Sequence, residues 1–147
     1  MQFALRVDFP QPVGTVFDFL AQPANRPLWQ SSLRGVRSVT PGPAGPGTRW
    51  CDVTWVGLQP AMEITTWHED RRWVELGRWR GVEVELALDF TPVATGSGQG
   101  STRVTATVTA YAAGRRPPAS WVLRTLGPPA VRHDLRRASR ILSLPGR

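Results

Sequence analysis

Glu75 stands in the run Trp73-Val74-Glu75-Leu76-Gly77, a carboxylate two residues from a tryptophan and bracketed by apolar neighbours. In a strand, residues two apart share a face. Burial beside Trp73 would disfavour the charged carboxylate and raise its pKa, which suits a general acid or a hydrogen-bond anchor for a ligand. The competing reading is structural: an ion pair with an arginine of the C-terminal helix, Arg124 for example, or a bond to Thr66. His68 is the second acid/base candidate, predicted at the rim of the same face. It has no second His, Cys or reactive Ser at metal or triad spacing, so the favoured reading is a hydrogen-bonded edge residue. Cys51 reads as a small buried hydrophobe, and Asp18 as a solvated helix residue. The glycine-rich stretches 40–47 and 95–100 lack the phosphate-binding spacing before a helix with Lys. No metal, nucleotide or nucleophile–base motif is present, so neither cofactor nor metal is expected.

These residues need strands to hold them. Phe3, Leu5, Val7 and Phe9 alternate with polar or small residues, which predicts a first strand. Pro10 and Pro12 end it. Val13, Val16, Phe17 and Leu20 follow at helical spacing, and a second short helical segment carries Trp29 and Leu33. Five or six strand-like runs come next, then one helix. Hairpin parity assigns the faces, because residues bracketing a two-residue turn pair directly. Trp79 and Val82 flank Arg80-Gly81, so Trp73, Glu75, Gly77 and Trp79 share a face with Val82, Val84, Leu86, Leu88 and Phe90. The turn at Asp70-Arg71 is read as pairing His68 with Trp73 and Thr66 with Glu75, which places Met62, Ile64, Thr66 and His68 inside. The turn near 57–60 is read as pairing Trp55 with Met62, which adds Cys51 and Val53. The outer face then carries Asp52, Thr54, Glu63, Thr65, Arg78, Glu83, Glu85, Asp89, Arg103, Thr105 and Thr107, with Trp50, Trp67, Val74 and Leu76 as exceptions. The last strand, with Val104, Ala106 and Val108 on one side, is expected beside the first.

The segments 13–20, 23–30 and 46–50, the run Glu63-Ile64-Thr65-Thr66-Trp67 before Asp70-Arg71-Arg72, and Thr102-Arg103-Val104-Thr105 together resemble the START-related superfamily of polyketide cyclases, lipid-transfer domains and plant allergens, often called SRPBCC. The resemblance covers nearly the whole chain. It implies an α+β helix-grip fold: a seven-stranded antiparallel sheet wrapped around a long C-terminal helix, with two short helices after strand 1. It leaves function open among enzymes and carriers.

At 147 residues the chain is expected to form one domain, 1–147, with room for a core and a pocket. No run of about 18 apolar residues is present to span a membrane. With no signal-peptide pattern and a single cysteine, a cytoplasmic protein is expected. All 18 basic residues are arginine, which fits a GC-rich genome. Residues 112–147 carry eight arginines and one acid, while residues 1–111 balance to zero. Such a face could meet an anionic partner; without interleaved aromatics no nucleic acid is expected. In the C-terminal helix, Val131, Leu135, Ala138 and Leu142 form an apolar stripe opposite Arg132, Arg136, Arg137 and Arg140. Val122, Leu123 and Leu126 are out of phase with it, and Gly127-Pro128-Pro129 predicts a kink or restart between.

The function expected from this reading is binding of an apolar, aromatic or polycyclic small molecule inside the sheet, lined by Cys51, Val53, Trp55, Met62, Ile64, Thr66, Trp73, Glu75, Trp79, Leu86 and Leu88. The alternative is a cyclase or dehydratase using Glu75 and His68, as the resemblance allows. A third is an interaction module working through the arginine face.

Overall fold

The computed structural model describes residues 1–94, 100–112 and 127–145. Arg124, Val122, Leu123 and Leu126 lie outside the described residues, as does most of the 95–100 stretch. Strand β1 (Gln2–Phe9) leads into α1 (Val13–Ala21), a 3-10 turn (Pro23–Asn25) and α2 (Arg26–Trp29). Strands β2 (Leu33–Arg37), β3 (Arg49–Thr54), β4 (Ala61–His68), β5 (Arg72–Trp79), β6 (Val82–Val93) and β7 (Ser101–Ala112) follow, then α3 (Pro128–Leu142). The strands form one antiparallel sheet in the order β1-β7-β6-β5-β4-β3-β2. Leu33 opens β2 rather than extending the second helix, which ends at Trp29.

The first and last strands pair as expected, with Phe3 opposite Val108 and Val7 opposite Val104. At the β5–β6 hairpin, Trp79 pairs with Val82. Arg80 and Gly81 both take positive φ, at 45° and 80°, the backbone that a two-residue turn needs to match strand twist. The expected faces of these strands hold: Arg78 Nε meets Glu83 Oε2 at 2.7 Å on the outside, and Trp73, Leu86, Leu88 and Phe90 are buried within.

Two other turns break the expected register. Between β3 and β4 the bracketing pair is Thr54 and Leu58, with Gly57 at φ 86° inside a three-residue loop. Trp50 therefore pairs with Met62, where sequence parity expected Trp55. An odd slip sends every side chain to the opposite face. Trp50, Asp52 and Thr54 point inward and are buried, whereas Cys51 and Val53 are only half-buried on the outer side. Trp55 is 69% exposed. Between β4 and β5 the turn pairs His68 with Arg72 and Thr66 with Val74, one residue off the expected His68–Trp73; a shift between Thr66 and Ile64 then sets Ile64, not Thr66, opposite Glu75, and Trp67 faces Trp73. This bulge keeps Met62 and Ile64 inside, turns Thr66 and His68 outward, and brings Trp67 onto the Phe17 ring, with centroids 5.1 Å apart.

The inner face packs against α1 through Val16, Phe17 and Leu20, and against α3 through Val131, Leu135 and Ala138. Helix α3 begins at Pro128 with Gly127 as its N-cap. The two prolines sit in the first turn, where a missing N–H leaves no helical bond unmade. Arg136, Arg137 and Arg140 are exposed, as the stripe predicts, and Arg132 is half-buried. Asp134 ties this helix down: its Oδ1 accepts bonds from the Ser31 N–H at 3.2 Å and hydroxyl at 2.8 Å. Arg137 Nε donates to the Leu28 carbonyl at 2.9 Å. Among the described residues no helix is long and apolar enough to cross a membrane.

Candidate functional site

Three charged side chains from separate segments meet on the inner face. Arg26 comes from the first residue of α2, Asp52 from β3 and Glu75 from the middle of β5. All three are less than 5% exposed. The short helix is set by Pro23 and Pro27, which restrict the backbone to helical entry, and by Asn25, whose Nδ2 donates to the Phe19 carbonyl at 3.1 Å. That placement aims Arg26 into the sheet.

The guanidinium is almost fully used. Nε and Nη2 grip the Asp52 carboxylate at 3.1 and 2.9 Å, the two-pronged geometry that favours arginine over lysine. Nη1 donates to Glu75 Oε2, and Nη2 also reaches Gln30 Oε1 at 3.3 Å. The Trp50 ring lies beneath, 5.0 Å from the guanidinium carbon, and its Nε1 donates to Asp52 Oδ1 at 2.8 Å. Charges taken out of water are tolerated only with partners of this quality.

One arginine faces two carboxylates, so one acid is in excess. Burial pushes the Glu75 carboxyl up to about 7; Arg26 pulls it down, and the neighbouring Asp52 charge adds to the rise. Burial also works against the Arg26 charge, but the two carboxylates more than offset it and hold its pKa above the ordinary arginine value. Glu75 thus gains or loses its proton near neutrality inside an apolar enclosure.

That enclosure is built from the same strands. Ile64 lies opposite Glu75 on β4 and Leu86 opposite it on β6. Trp73 and Gly77 flank it along β5. Gly77 makes room for Met62: a Cβ there would lie 2.9 Å from the Met62 sulfur. Trp79 is half-buried at the strand end, with the Arg80 guanidinium 5.1 Å from its ring centre. The indole N–H groups of Trp73 and Trp29 are buried and have no acceptor among the described residues. A dry donor of this kind costs about 1–3 kcal/mol.

Of the residues expected to line a pocket, Met62, Ile64, Trp73, Glu75, Trp79, Leu86 and Leu88 share the inner face. Cys51, Val53, Trp55 and Thr66 do not, and His68 is exposed on the far side of the bulge. Sequence reasoning missed Arg26, Gln30, Trp50 and Asp52. The signal was present: Trp50 and Trp67 stood out as aromatic exceptions on a face expected to be polar, and each marks a register slip. On the surface, the Asp18, Glu69 and Asp70 carboxylates converge where α1 meets the β4–β5 turn.

The family model described as polyketide cyclase / dehydrase and lipid transport matches residues 1–143. No curated protein matches the chain at a significant level. Among solved structures, protein MLL2253 from Mesorhizobium loti superposes with a TM-score of 0.70 at 14% identity, covering 97% of this chain and 96% of that one. Protein CV1439 from Chromobacterium violaceum gives 0.64 at 11%, with 97% of each chain covered. Ara h 8.0201 gives 0.67 at 12%, also with 97% of each covered. These likenesses carry the helix-grip fold. With that fold and a family match over nearly its whole length, the chain belongs to the polyketide cyclase / dehydrase and lipid transport family of SRPBCC proteins.

Proposed function

We propose that this protein binds an apolar, aromatic or polycyclic small molecule that carries at least one polar acceptor, against the inner face of the sheet. Family membership supports hydrophobic ligand binding in general. The observation that carries the finer reading is the pairing of an apolar wall with unmet polar capacity. Met62, Ile64, Trp73 and Leu86 surround a charged cluster, and the Trp73 indole N–H beside it has no acceptor among the described residues. A ligand carbonyl or hydroxyl would supply one, while its rings stack on tryptophan. Trp79, half-buried at the strand end, is the most accessible aromatic of the lining.

A cyclase or dehydratase acting on such a ligand is the second reading. The Glu75 carboxyl, poised near neutrality, has the proton affinity a general acid needs. His68 takes no part, because it faces outward.

The test is titration with polycyclic aromatics and fatty acids, followed by tryptophan fluorescence. Saturable quenching with one site per chain is expected, weakened at least tenfold by Trp79→Ala without loss of fold. Absence of saturation across both ligand classes would overturn the binding reading. Turnover of a bound polyketide-like substrate that vanishes in Glu75→Gln, with binding retained, would establish the enzyme instead.

A further inference from the structure

We propose that the free edge of β1 and the adjoining face of α3 form a docking groove for an extended acidic segment of a partner protein. This surface is separate from the inner-face site.

Among the described residues strand β1 ends the sheet, with β7 on one side and no strand on the other. Met1 and Ala110 exchange both backbone hydrogen bonds, at 2.8 and 3.2 Å, and the register is unbroken to Phe9 opposite Thr102. Antiparallel pairs alternate between bonded and non-bonded. Phe3, Leu5, Val7 and Phe9 therefore turn their backbone groups to β7. Gln2, Ala4, Arg6 and Asp8 turn theirs to the open edge, where no backbone partner is found among the described residues. Such an edge is a template for an added strand.

The charge beside it is one-sided. A groove of about 580 Å³ is lined by Arg6, Asp8 and Arg103 from the sheet and by Arg136, Ser139 and Arg140 from α3. Four guanidiniums face one carboxylate. Asp8 is already held by Arg103, with Nε to Oδ1 at 2.9 Å. Arg136 and Arg140, one helical turn apart, have no side-chain hydrogen bond or ion pair among the described residues. A strand added here has alternate side chains beside Arg6 and Arg103 on one face and beside Arg136 and Arg140 on the other, so acidic residues on both faces fit. A second copy of this chain fits poorly, because two-fold pairing through β1 would bring the two arginine clusters together.

The experiment uses fluorescence anisotropy of a labelled, N-acetylated Thr-Glu-Glu-Val-Glu-Glu-Thr peptide with the full chain. Expected is saturable one-to-one binding that weakens with salt and falls at least tenfold in the Arg136→Ala/Arg140→Ala variant. Ala4→Pro removes only an outward N–H, which an edge strand tolerates, and is expected to lower affinity at least fivefold. A peptide N-methylated at alternate residues gives the same readout without altering the protein, should Ala4→Pro fail to fold. No binding by the native chain overturns the proposal. So does equal binding of the methylated peptide, or full competition by inorganic pyrophosphate at matched charge, either of which reduces the groove to a plain anion site. Self-association through β1 that excludes the peptide overturns it too.

Discussion

Replacing Glu75 by glutamine isolates the excess acid of the buried cluster. Glutamine keeps the size and an acceptor oxygen for Arg26, and leaves the two-pronged Arg26–Asp52 pair uncharged overall. In the native protein the Glu75 carboxyl is raised from the ordinary 4.5 to about 7. The folded state therefore binds this proton more tightly than the unfolded chain. Stability from this group is fully present below about pH 4.5 and is lost as pH climbs through about 7. At about 1.4 kcal/mol for each unit of displacement, the loss is roughly 3 kcal/mol. The glutamine variant has no such proton. Native protein and variant should be similarly stable near the acid end, and the variant should gain on the native protein by ~3 kcal/mol toward pH 8. With a urea slope of about 2 kcal/mol/M, that is a shift of roughly 1.5 M in the midpoint difference. Urea unfolding of both proteins across this range measures it, and other titrating groups cancel in the comparison. A midpoint difference that stays constant with pH would refute the claim that burial outweighs Arg26 at this carboxyl.

Two further substitutions test the packing that surrounds the site. Leu135→Ala, at a position 1% exposed under the sheet, should cost about 2–5 kcal/mol by thermal or urea unfolding; a smaller cost would mean that α3 is not docked as described. Gly77→Ala puts a methyl group against the Met62 sulfur and should cost about 1–3 kcal/mol, with Met62→Ala in the same chain restoring part of the loss.

The legibility of this fold in its sequence depended on turn length. Arg80-Gly81 is a two-residue turn with a glycine where positive φ is needed, so the faces of β5 and β6 followed from counting. The alternation of β1 and β7 was equally plain, as was the 4-3-4 spacing of Val131, Leu135, Ala138 and Leu142. The loop after Thr54 and the turn after His68 each have three residues, and the bulge after Ile64 inserts one more; none has a signature as strong as a proline or an Asn-Gly pair. Each slip reverses a whole strand segment, so small errors of register removed Asp52 and Trp50 from the predicted site and put Cys51, Val53, Trp55, Thr66 and His68 into it. Arg26 was hidden for another reason. Its burial depends on partners 26 and 49 residues away, and no local pattern marks an arginine that will be neutralised from a distance.

The pairing of β1 with β7 also has a consequence in time. About 100 residues separate the partners, and at 5–20 residues per second the ribosome takes roughly 5–20 s to deliver the second after the first. Throughout that interval β1 presents Phe3, Leu5, Val7 and Phe9 with both of its edges unpaired. Arg6 and Asp8 within the strand, and Pro10 and Pro12 just after it, are what stand between this nascent segment and premature association with a neighbouring chain. The same charges that border the groove of the finished protein thus guard the strand while the remainder of the sheet is still being made.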